Sequence, residues 1–136
     1  MKPWVVPILV AVVLWGIAAF LRKKAVLFLP PQSAVTFEVL GASAVILLLF
    51  ALSGGHLVKD PRGVLFAVFT GIFAVAGTLF MFYALKNGPV SIVTSFSAVA
   101  VVITVILGVL LLHEKLLLHQ VAGIALGIVA AILLSL

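Results

Sequence analysis

The sequence predicts an all-α membrane protein that crosses the bilayer five times. Three observations carry that prediction: hydrophobic residues make up 66% of the 136 positions, charged residues only 8%, and the mean hydropathy is +1.53. A soluble domain of this size needs far more polar surface, so a water-soluble monomer is excluded. Long apolar runs separate the clusters that hold most of the charges, as expected where hydrocarbon is the solvent. The net charge of +5 would also suit a nucleic-acid binder, but the eight Lys and Arg sit at the ends of apolar segments and make no basic stripe. Membrane lipid, and no nucleic acid, is the expected partner. With no Cys there is no disulfide framework, thiolate metal site or cysteine nucleophile.

A spanning helix needs about 20 mostly apolar residues. Five segments qualify, at about 4–21, 33–52, 64–85, 90–112 and 117–135, and they fill 1–136 as a single transmembrane domain. Lys2 and the apolar run from Trp4 to Leu21 would also fit a signal peptide. Arg22, Lys23 and Lys24 follow directly, and four more spans come after, so the first segment is read as retained. Pro30 and Pro31 stop a helix, and Ser33 is placed to cap the next. Asn87, Gly88 and Pro89 join a helix-ending signal to a favoured first-turn proline, which predicts a tight antiparallel hairpin of the third and fourth spans. His113, Glu114 and Lys115 link the last two spans, leaving 53–63 as the one connection with room for a loop.

In lipid, small and polar residues at helical spacing mark packed or water-facing sides. The fourth span carries Thr94, Ser97, Val101, Thr104 and Gly108 on one arc, with Ser91 just off its start. These hydroxyls can line a hydrated substrate path, or bond back to carbonyls one turn earlier at a helix contact. In the third span Thr70, Ala74, Gly77 and Met81 share one face, and Phe66, Phe69, Phe73 and Phe80 share an aromatic face suited to packing or lipid. Gly123 and Gly127 form a Gly-x-x-x-Gly pair continued by Ala130 and Ala131, a seam for close helix approach and a candidate dimer contact. Trp15 lies deep in the first span, where an indole N–H needs a partner or ligand; Tyr83 reads as an interfacial anchor.

Glu38 is the one ionisable residue inside a span, and its face of Ala34, Gly41 or Ala42, and Val45 leaves space for a ligand, water or helix. Intramembrane acids mark ion or substrate routes, which makes Glu38 a candidate proton and substrate site. The structural alternative is that it snorkels or pairs with Lys23 or Lys24. His56, His113 and His119 look solvated and offer no metal-ligand spacing, so no metal and no cofactor is expected. No nucleophile with a base, paired acids or phosphate cradle is visible, and the chain is not read as an enzyme.

Residues 83–134 resemble the second half of an EamA domain of the drug/metabolite transporter superfamily, and VLWGIAAFLRKKAV at 13–26 resembles its first span. The marks are the Tyr-Ala-Leu and short turn at 83–90, the HEKL segment at 113–116, and Gly123 with Gly127. Two positions depart from the pattern: Val101 stands where members often have a mid-helix proline, and Glu38 stands near a position where many have Arg. A kink in the fourth helix is therefore not assumed, and the charge at that depth is inverted. The resemblance implies a five-helix repeat, normally present twice in a ten-helix carrier that moves small metabolites or drugs, often outward.

With one repeat present, two chains are expected to pair as a ten-helix antiparallel homodimer in a prokaryotic plasma membrane. The charges support this. Lys2, Lys59, Arg62 and Lys115 fall on one face and Arg22, Lys23, Lys24 and Lys86 on the other, so nothing selects one orientation. The leading function is a secondary transporter, with candidate substrate or proton-binding residues Glu38, Trp15, Thr94, Ser97 and Thr104. The alternatives are a proton-coupled exporter of lipophilic cations using Glu38, and a non-transporting accessory subunit.

Overall fold

The computed structural model describes residues 3–135, and the side chains of Ala131, Leu134 and Ser135 lie outside that description. Lys2, one of the charges weighed above, lies outside it too. The described residues are helical and contain no strand. They form two compact units, Met1–Asn87 and Gly88–Leu136.

The first unit holds α1 (Val5–Phe28), α2 (Pro31–Leu52) and α3 (Pro61–Asn87). α1 ends seven residues beyond the sequence-based boundary at 21, with Arg22, Lys23 and Lys24 inside the helix. The sequence reading took these charges as a membrane edge. Instead Arg22 reaches Glu38, Lys23 donates to the Leu85 carbonyl at 2.6 Å, and the Lys24 ammonium lies 5.9 Å from the Phe20 ring centroid. What stops α1 is proline. Leu29 precedes Pro30, and Pro30 precedes Pro31, so both are pushed to extended backbone, with ψ of 148° and 153°. Pro31 then begins α2 at N1, where its missing N–H costs nothing, so Ser33 lies inside the first turn rather than at the cap.

Gly54 and Gly55 close α2 with φ of +68° and +76°. Gly55 N–H donates to the Phe50 carbonyl and Gly54 N–H to that of Ala51, the paired bonds of a Schellman cap. Asp60 opens α3 three residues earlier than the apolar run suggested, because its carboxylate accepts from the N–H groups of Arg62 and Gly63 at 3.0 and 2.9 Å. Burial is confined to one end of this unit, where Val26, Pro31, Ala34, Val35, Phe82 and Leu85 meet. The remaining helix surface is apolar and exposed, the composition of a lipid-facing wall. Since Phe82 retains only 1% of its surface, Phe82→Leu is expected to cost about 1–2 kcal/mol through the space it leaves. A fall in the thermal midpoint of the purified protein, absent for Phe80→Leu at the exposed Phe80, checks it.

The second unit holds α4 (Val90–Ser95), α5 (Ser97–Leu111) and α6 (Leu118–Ser135). The fourth span, expected as one helix over about 90–112, is interrupted at Phe96, five residues before Val101, without Pro or Gly. Three hydroxyl bonds precede the break: Thr94 Oγ1 to the Val90 and Ser91 carbonyls, and Ser95 Oγ to that of Ile92. Such back-bonding competes with the helix ladder and bends it. At the other end of α5, His113 is left-handed, with φ of 54°, and the Gly108 carbonyl accepts from both Leu112 and Glu114 N–H groups. Gln120 Oε1 accepts from Leu117 N–H at 2.8 Å, half of a capping box that starts α6.

Four stretches are long and apolar enough to cross a membrane: α1, α2, α3 and Val90–Leu111 across the break. α6 is shorter, at 18 residues. At 1.5 Å per residue it extends about 27 Å, against a hydrocarbon core of about 30 Å.

Candidate functional site

Glu38 is seven residues into α2, about 10 Å along the helix and deeper than a start at Ser33 would place it. Its partner is Arg22, not Lys23 or Lys24. Arg22 Nη2 lies 2.6 Å from Glu38 Oε1, and Arg22 Nε lies 3.0 and 3.2 Å from Oε2 and Oε1. The guanidinium thus grips both carboxylate oxygens in the charge-assisted geometry that only Arg offers. The side chains keep 25% and 31% of their surface, so the pair is reachable as well as joined.

The turn brings them level. Arg22 and Glu38 are each eight residues from Pro30, and two antiparallel helices leaving that turn carry them to the same height. This equality was the signal in the sequence; Arg22 was passed over because it begins a basic triplet that resembled an edge anchor. Glu38 was also read as an inverted charge relative to the family pattern. With Arg22 supplied by α1, the site carries both signs and a net charge of zero.

Around the pair is an open pocket of about 260 Å³, lined by Ala18, Leu21, Arg22, Ala25, Ala34, Glu38 and Phe82. Among the described residues, Arg22 and Glu38 are its only polar side chains. The three alanines leave the space, and Phe82 closes its floor against the buried end of the unit. The volume lies just below the range of drug-sized pockets, a size for a small solute.

Trp15 stands on the same face of α1, seven residues and two turns before Arg22, with Ala18 between them. It does not line the pocket and keeps 66% of its surface exposed. Thr94, Ser97 and Thr104 lie in the second unit. Thr94 and Thr104 bond back to the Val90 and Ala100 carbonyls at 2.6 and 3.1 Å, while Ser97 opens α5 with its side chain exposed. Gly108, on the same arc, is covered by its own segment: a Cβ there would lie 2.9 Å from Glu114 Oε2. Glu114 of the HEKL segment therefore folds over the end of α5. Cβ positions on Gly123 and Gly127 would meet nothing within 4 Å, and Ala130 is also exposed. The side chain of Ala131 lies outside the described residues. Tyr83, read as an interfacial anchor, accepts a hydrogen bond from Gln32 of α2. Among the described residues no cluster of His, Asp and Glu could hold a metal.

A model of the EamA-like transporter family matches residues 2–136. The chain is also similar to the uncharacterized protein MJ1333.1 of Methanocaldococcus jannaschii, 31% identical over 127 residues that cover 93% of this chain and 92% of that one. No solved structure matches. The family is one of membrane transporters of small solutes, in accord with helices long and apolar enough for several crossings. This multi-pass integral membrane protein belongs to the EamA-like transporter family.

Proposed function

We propose that the chain is a secondary transporter that works as an antiparallel homodimer, moving a small solute outward by alternating access through the Arg22–Glu38 pocket. The observation that carries this reading is the bidentate ion pair itself, set in an open pocket walled by alanines within membrane-spanning helices. Charged groups at such depth are costly and are kept where ions or solutes pass. The pair has a further property a carrier needs. With the site empty its net charge is zero, so the unloaded protein can change its accessibility without dragging charge across the membrane.

Dimerisation is supported by the uncovered Gly123–Gly127 seam. Opposed insertion of two chains would recreate the inverted repeats on which many transporters are built. The outward direction rests on the resemblance of the repeat to carriers that act outward. In the first unit Trp15 is assigned as an aromatic substrate contact, and in the second unit Thr94, Ser97 and Thr104 are assigned as substrate-binding hydroxyls. Glu38 is assigned the proton that couples the cycle.

Topology is tested by fusing a cytoplasm-active and an export-active reporter to the C-terminus in separate strains. Both are expected to be active. Activity of one alone would mean a fixed orientation and would remove the antiparallel dimer. Solute movement is tested on purified protein in liposomes; a protein that moves nothing yet co-purifies with a stoichiometric partner would be an accessory subunit.

A further inference from the structure

We infer that the substrate is an organic anion, a monocarboxylate with a short apolar tail, carried together with one proton; this rests on the Arg22–Glu38 pocket being the transport site. The inference comes from charge conservation in the pocket. Arg22 cannot be deprotonated in a protein, so its positive charge is fixed, and Glu38 is the only group lining the pocket whose charge can change. A cationic solute bound to ionised Glu38 would leave the site with a net positive charge at membrane depth. An anion bound to Arg22 while Glu38 stayed ionised would leave it negative. An anion that arrives with a proton for Glu38 leaves it neutral, as the empty site is; a zwitterion would do so too, and hydrogen bonding separates the two.

Hydrogen bonding favours the same ligand. The Arg22 Nε and Nη2 donors already present the fork that a carboxylate takes. A substrate carboxylate can replace that of Glu38 there, and the protonated Glu38 can donate its new O–H to the substrate oxygen. An ammonium group needs acceptors for three donors, and Glu38 is the sole acceptor side chain lining the pocket. The remaining lining, Ala18, Ala25, Ala34 and Phe82 among it, offers only apolar contact, which suits a hydrocarbon tail.

The other charged groups on the helices packed against α2 are otherwise engaged or distant. On α1, Lys23 donates to the Leu85 carbonyl and Lys24 sits over Phe20; on α3, Tyr83 accepts from Gln32, Lys86 is exposed in the last turn, and Arg62 lies at the opposite end. In the cycle, Glu38 takes a proton from the water on the side to which the site is open as the anion takes Arg22. On the other side the anion leaves, Glu38 returns the proton, and the pair re-forms. Outward flux is then driven by the solute's own gradient and carries acid with it.

The test uses three solutes with one tail: α-ketoisocaproate as the anion, leucine as the zwitterion and leucinamide as the cation. Each is offered to purified protein in liposomes containing a pH-sensitive dye and a potential-sensitive dye. The expected result is α-ketoisocaproate flux with one proton moving in the same direction and no change of potential. Calorimetry of the wild type in two buffers of different ionisation enthalpy should show about one proton taken up per anion bound, a reading that needs no variant. Arg22→Gln should weaken anion binding about a hundredfold. Glu38→Gln should bind the anion without proton uptake. Movement of leucine or leucinamide in place of the keto acid would overturn the anion assignment and leave the transport site standing. Keto-acid flux that builds a potential would overturn the proton. Flux of the keto acid that survives Arg22→Gln would mean that transport runs elsewhere, overturning the site and this inference together.

Discussion

Arg22→Gln and Glu38→Gln are each expected to lower stability by about 2–3 kcal/mol, whereas the double variant should recover most of that loss and still transport nothing. Each single change leaves one full charge on a spanning helix without its counter-charge, and such charges are costly in the bilayer. Both side chains retain a quarter to a third of their surface, which holds the cost toward the lower end of what a buried broken pair produces. The double variant puts two neutral amides where the ions were, and these can bond to each other. The measurement is a double-mutant cycle on unfolding midpoints in mixed micelles, read beside liposome flux. Additive losses would show that the pair contributes nothing to the fold. Recovery of flux in the double variant would show that neither charge is needed for transport.

In the proposed homodimer, Gly127→Leu and Gly123→Leu are expected to reduce the dimer fraction by about tenfold, or about 1.4 kcal/mol. The reason is where the glycines face. A Cβ at either position meets nothing within 4 Å among the described residues, so the seam is open for a second helix to approach. Between two helices a leucine holds the backbones apart, and close packing is the main attraction available in lipid. Leu126→Ala, which trims a side chain with 70% of its surface exposed, is the control. Dimer fractions from crosslinking at several protein-to-lipid ratios check it, and equal values for all three variants would mean that the seam is not the interface.

The number of apolar segments and their helical state were legible in the sequence, because in lipid each span must satisfy its own backbone and the information for doing so is local. The start of α3 was not read from the sequence: the apolar run put it at 64, whereas the Asp60 carboxylate caps a helix that begins at Pro61. The end of α1 was not legible from charge. Arg22, Lys23 and Lys24 look like an interface in one dimension, yet α1 continues to Phe28 because Arg22 and Lys23 find partners on α2 and α3. The break at Phe96 was missed for a different reason. Proline and glycine are the usual signs of a kink, and here the competition comes from the hydroxyls of Thr94 and Ser95.

For the site, the sequence by itself singled out Glu38, since a lone acid in an apolar run is conspicuous, and it determined which stretches are apolar enough to cross a membrane. Only the tertiary structure decided which cation meets that acid. Three neighbouring basic residues were equally available by spacing along one helix, and the choice fell to Arg22 because the proline turn sets the heights of α1 and α2 and Arg alone fits both carboxylate oxygens. Sequence hydropathy records the cost of a charge in lipid. The partner that offsets it is selected by position across a helix pair, which becomes defined once both helices have folded against each other.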